Sequence, residues 1–197
     1  MILSWYMNQE QSFPSFSFAC STILNRNRAC NLLDSYQGPV GKLYLQYILP
    51  LSLFPSLLFL LAVILQQANP SALPIVVVSL ALTFAISFAL LHFWSLIIEG
   101  LLVAQGIEIS RLTAVKITML AGSPWFIIFA LFPAIQGGVI LGLVWVVSLL
   151  PLALTRIGLV PKEKLNRIFI SSSLLWIASY LFSNLFFIGV LSIAGMM

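Results

Sequence analysis

The sequence predicts an all-α polytopic membrane protein, a bundle of five transmembrane helices with the amino end inside and the carboxyl end outside. Three observations lead there. Of its 197 residues, 7% are charged and 61% apolar, whereas a soluble domain has about a quarter charged and under half apolar. Between Leu43 and Gln105 the only charged side chain is Glu99, and after Arg167 there is none. About 20 apolar residues in helical form cross the hydrocarbon core of a bilayer. Finally, the 9 basic residues fall into three clusters separated by pairs of such stretches.

Residues 1–42 read as a cytoplasmic tail. Phe13, Phe16 and Phe18 alternate with Ser and Pro, a pattern of neither helix nor buried strand. The expectation is a loosely ordered segment whose rings partition to the membrane interface. Met1 to Tyr6 lack a basic flank and a long apolar run, so they do not read as a signal peptide. Five spans follow in the domain 43–197, at about 43–65, 74–104, 114–135, 138–158 and 168–194. The first contains Pro50 and Pro55, the third Pro124, the fourth Pro151. The second is long enough to tilt or to project beyond the bilayer.

Orientation follows from the basic residues. Arg26, Arg28 and Lys42 precede the first span. Arg111 and Lys116 accompany the connection between spans two and three, and Arg156, Lys162, Lys164 and Arg167 that between four and five. The other two connections carry none. The positive-inside rule assigns all three clusters to the cytoplasm. The same rule explains the net charge of +4 and the pI near 9.3 without nucleic acid, and no basic stripe interleaved with aromatics marks a nucleic-acid surface. Cys20 and Cys30, in a reducing compartment and without neighbouring histidines, read as free thiols rather than a disulfide or a zinc site.

Glu99 is the residue that most needs a reason. His92 and Ser95 lie seven and four positions before it, on one helical face. An ionisable pair within a span faces other helices rather than lipid. One reading is a proton or ion relay through His92 and Glu99. The other is a packing stripe, with His92 neutral and Glu99 paired to Lys42, Lys116 or Arg156. Gly122 and Pro124 in A-G-S-P-W mark a candidate helix break, of the kind that binds solute in transporters. Gly138 and Gly142 in span four, and Ser179, Ser183 and Gly189 in span five, read as helix-packing faces. Neither a zinc motif, a nucleophile elbow nor a phosphate-binding glycine loop is written in the chain. The expectation is therefore no catalytic, cofactor or metal site.

Three stretches resemble the Yip domain family (Ypt/Rab-interacting proteins), most closely its bacterial inner-membrane branch. They are Asp34-Ser35-Tyr36-Gln37-Gly38-Pro39, similar to the family's D-x-Y-G-P element with Gln37 inserted; the third span with Ala121, Gly122, Pro124 and Pro133; and the loop from Leu152 to Lys164. The resemblance covers about residues 34–190. It implies five helices with a cytoplasmic amino terminus and a non-enzymatic role in membrane organisation or trafficking. Contact with a small GTPase is implied by the resemblance alone. The leading expectation is thus a multi-pass scaffold in a cell membrane, a bacterial inner membrane, that associates with itself or with other membrane proteins. The alternative is a small-solute or proton-coupled permease using His92, Glu99 and the break near Pro124.

Overall fold

A computed structural model describes residues 15–53, 57, 73–131 and 136–193, with some side chains inside the helices excepted. Among the described residues the protein is all-helical, with no strand. Helix α1 is Ser15–Leu24 and α2 is Arg26–Ser35. A short α3, Val40–Leu43, runs straight into a π-helical turn, Tyr44–Ile48, and then into helical residues 49–53. The long helices follow: α4 Leu73–Ala104, α5 Arg111–Leu131, α6 Gln136–Arg156 and α7 Lys162–Ile193.

The tail departs from expectation. From Ser15 onward it is not loose but folds as two helices, because tertiary burial supplies what the local pattern lacks. Phe18 is fully buried, its ring edge-on to Tyr47 at 4.9 Å, so this ring belongs to the core rather than to the membrane interface. Helix α2 starts where Asn25 Oδ1 accepts the N–H of Arg28 at 3.0 Å, an N-cap that satisfies one of the orphan donors. It buries Ala29, Cys30 and Leu33, which share one face. Phe13 lies outside the described residues, as does the Phe16 side chain.

The π-turn has a local cause. Pro50 has no N–H, and its ring would collide with the carbonyl four residues back. Widening the preceding turn relieves this, and Leu49 N–H bonds Tyr44 O instead. Of the expected first span, residues 54–56 and 58–65 lie outside the described residues.

Helix α5 is central: it packs against α6, α4 and α1, and also touches α2 and α3. Residues 114–124 are buried without interruption. Ser110 caps it, its Oγ accepting the N–H of Thr113 at 3.1 Å. No break occurs at Pro124: the α-helix continues from Arg111 to Leu131. Ser123 Oγ donates to Met119 O, so a side-chain bond supports the turn that leads into the proline.

The α4–α5 connection closes with a Schellman motif, Gly106 N–H to Val103 O at 2.9 Å and Ile107 N–H to Leu102 O at 3.0 Å. Gly106 takes φ +68, which favours glycine. After α6, the left-handed position is filled by Leu159, φ 49. The neighbouring Gly158 is required for another reason, since a Cβ there would stand 2.9 Å from Leu154 O.

Helix α7 begins at Lys162, ahead of the expected 168, since its cationic first turn is helical without being apolar. Among the described residues one segment, Leu80–Ala104 of α4, is long and apolar enough to cross a membrane.

Candidate functional site

His92, Ser95 and Glu99 do share one face of α4, and the structure brings two further residues to them. From the π-turn comes Tyr44, whose hydroxyl lies 3.0 Å from His92 Nδ1 and 3.3 Å from Ser95 Oγ. From the first position of α5 comes Arg111. Its guanidinium donates to Glu99 Oε2 at 2.8 Å, to Ser95 Oγ at 2.7 Å and to Tyr44 OH at 3.4 Å. Three segments of the fold meet here. The ion pair is neither surface nor core, with side chains 28% and 31% exposed.

Glu99 is therefore paired, and the cation that meets it is Arg111, which is not among the three expected. Lys116 is buried and donates to Tyr36 O at 2.7 Å. Arg156 donates to Asn27 Oδ1 at 3.0 Å. The short α4–α5 connection decides the contest, because it returns the start of α5 beside the last turns of α4. Arg111 was legible as a basic residue of that loop, though not as the partner. Tyr44 gave no signal: it is 48 residues from His92, and only the widened turn ahead of Pro50 carries its hydroxyl there.

The hydroxyls of Ser95 and Tyr44 are the shared atoms of the cluster. Ser95 Oγ donates to His92 O at 2.7 Å and accepts from Arg111. Arg111 donates to the Tyr44 oxygen, and the Tyr44–His92 bond runs in the direction that the histidine tautomer sets. Ser95 is fully buried, whereas His92 is exposed at the edge of the cluster. His92 thus meets a neighbouring helical segment through Tyr44 while its ring stays exposed. Charge within the cluster balances, one guanidinium against one carboxylate.

Proton traffic meets an obstacle in this geometry. From His92 a hydrogen-bonded path runs through Tyr44 to Ser95, whose own proton is committed to a backbone carbonyl. Glu99 is reached only through Arg111, and a guanidinium does not give up a proton in proteins. The arrangement can tie three segments together and hold a charge balance. It is poorly built to pass protons along.

Gly122 and Pro124 sit elsewhere. A Cβ on Gly122 would meet Leu91 and Trp176 at 3.3 Å each, so this glycine lets α4 and α7 close on α5. Trp176 stacks on the buried Trp94, centroids 4.5 Å apart. Gly138, Gly142, Ser179, Ser183 and Gly189 fall on helical backbone, and their contacts lie outside the described residues.

The motif Asp34 to Pro39 forms a pinned turn. Tyr36 OH donates to Pro39 O at 3.0 Å, and its ring lies so close over Gly38 that a Cβ there would collide with the phenol oxygen. The Tyr36 carbonyl is the acceptor for Lys116. Two of the stretches singled out in the sequence, the pre-span turn and the start of α5, thus hold each other. Among the described residues no group of His, Cys, Asp and Glu is placed to hold a metal ion. No family model, curated protein or solved structure matches this chain.

Proposed function

We propose that this chain is a non-enzymatic, five-span membrane protein, similar to the Yip domain family, that serves as a scaffold for itself or for other membrane proteins. The observation that carries the scaffold reading is the closed cluster at Glu99, which braces three segments and offers no proton path. Lipid as the medium is supported by large apolar side chains facing outward on three helices: Val77, Phe93 and Val103 on α4, Val144 on α6, Ile170 and Leu174 on α7, each over half exposed. Such a surface is foreign to a soluble monomer.

The N-in/C-out layout is supported by where the basic clusters meet. Arg156 bonds Asn27, Lys116 bonds Tyr36 O, and Lys164 Nζ bonds Gln105 O at 2.5 Å. All three clusters therefore gather at one end of the helices. Association surfaces are assigned to the small-residue spacings Gly138/Gly142 and Ser179/Ser183/Gly189. A bacterial inner membrane and a small-GTPase contact rest on the family resemblance alone.

The test is flux in liposomes. Purified protein should pass neither protons nor small solutes above the level of empty vesicles. Reproducible flux that disappears in Glu99→Gln would establish the permease instead. Crosslinking in native membranes should then recover self-association or a membrane partner.

A further inference from the structure

The junction of α1 and α2 carries a feature that the scaffold reading does not use. A cleft of about 290 Å³ opens there, lined by Ser17, Cys20, Ser21, Leu24, Asn25 and Arg28. Among the described residues no acidic side chain lines it. Arg28 spans the lining, one guanidinium nitrogen donating to Ser17 Oγ at 3.2 Å, and the guanidinium has five N–H donors in all. Leu24, at the lip, is 82% exposed, the largest exposure among the big apolar side chains.

Helix α6 supports the junction. Trp145 of α6 donates from Nε1 to Thr22 O at 3.4 Å, and Arg26 lies over its ring at 5.9 Å. Arg156, at the end of the same helix, bonds Asn27. The junction therefore lies along α6 and is tied to its cationic end through Arg156. Arg28 lines the cleft itself, while Arg26 and Arg156 are held beside the junction by Trp145 and Asn27. A positive cleft beside one exposed leucine matches a ligand that is anionic at one end and apolar at the other.

We propose that this cleft binds the headgroup of an anionic phospholipid. Arg28 and Ser17 hold the phosphate, Arg26 adds field from the rim, and Leu24 lies against the first acyl carbons. The inference rests on the membrane reading above and gives the amino-terminal helices a specific lipid contact.

Cys20 is a built-in reporter, since it is half-buried in the lining while Cys30 is buried in the adjacent helix. The full chain in neutral detergent is treated with a maleimide, with and without short-chain phosphatidylglycerol, phosphatidylcholine or inorganic phosphate. At lipid about ten times the dissociation constant, phosphatidylglycerol should slow Cys20 labelling about tenfold, since occupancy protects as 1 + [L]/Kd. Phosphatidylcholine and inorganic phosphate should leave the rate unchanged. Arg28→Gln should abolish protection, and the distant Arg167→Gln should keep it. Cys30 must stay unlabelled throughout, which certifies the fold; if Arg28→Gln exposes it, the comparison of the three ligands on the natural chain decides. Equal protection by the neutral lipid, or by free phosphate, overturns the proposal, as does lost protection in Arg167→Gln. Failure here with the carboxyl terminus still found outside removes the site alone, whereas a cytosolic carboxyl terminus removes the membrane frame itself.

Discussion

Substituting Glu99 by Gln leaves Arg111 bonded to Ser95 and Tyr44 but without a counter-charge at a site only 28% exposed. Substituting Arg111 by Gln leaves the carboxylate and Ser95 each short of a donor. Because each change strands the other partner, the two losses overlap. A double-mutant cycle in mixed micelles, followed by tryptophan fluorescence, should give a coupling of about 1 to 3 kcal/mol, the range for hydrogen bonds to charged groups. Strictly additive losses would show that the pair contributes nothing. At Cys30, burial pushes the thiol up from its ordinary 9.0, with Arg156 opposing. The neutral form is thus favoured on folding. Its contribution is intact below 9.0 and is lost as pH rises through the higher folded value. At pH 7 to 8 Cys20 should alkylate at least about tenfold faster than Cys30, since the thiolate is the reactive form and access is required. Comparable rates would mean that α2 does not stay docked.

At the scale of elements, two glycines in helices separate close approach from mere tolerance. Gly122 has Leu91 and Trp176 within 3.3 Å of a built Cβ, and Trp176 is stacked on Trp94, so the ring has little room to retreat. Gly122→Val should cost about 1 to 3 kcal/mol through overpacking. Gly100, with nothing within 4 Å, should behave oppositely. Gly100→Ala should gain about 0.5 to 1 kcal/mol from helix propensity. Unfolding midpoints of the two variants moving in the same direction would refute this placement of α4 on α5. The long helices were legible because their apolar runs end at residues with local meaning, such as Gly106 and Pro161. Helix α1 was not, because nothing in S-F-S-F-A-C reveals that Phe18 will lie against Tyr47. The break expected at Pro124 failed for a related reason. Pro-Trp after Gly-Ser is a weak helix former in isolation, yet eleven consecutive buried positions at 114–124 hold it helical. Likewise, the face His92-Ser95-Glu99 could be read from spacing alone, whereas its cation could not, since several basic residues compete and only the loop geometry ranks them.

At the scale of the molecule, the decisive quantity is the one-sided distribution of positive charge. Nine basic residues stand in three clusters, and hydrogen bonds from Arg156, Lys116 and Lys164 tie those clusters into one end of the helix bundle. Moving such an end across a bilayer means carrying several cations through hydrocarbon, at about 2.5 to 3.5 kcal/mol each on insertion scales. The opposite end carries no compensating cation, so the alternative orientation has nothing to set against that cost. On the proposed five-span layout the two termini lie on opposite sides. A phosphatase domain fused after Met197 should be active outside the cytoplasm, and a fluorescent protein at the same position should stay dark in cells where export prevents it from folding. The same pair fused ahead of Met1 should give the reverse pattern. Fluorescence at both ends would mean an even number of crossings, and then α7, whose first two turns carry Lys162, Glu163, Lys164 and Arg167 and whose residues after Arg167 carry no charge, would be the helix that fails to cross.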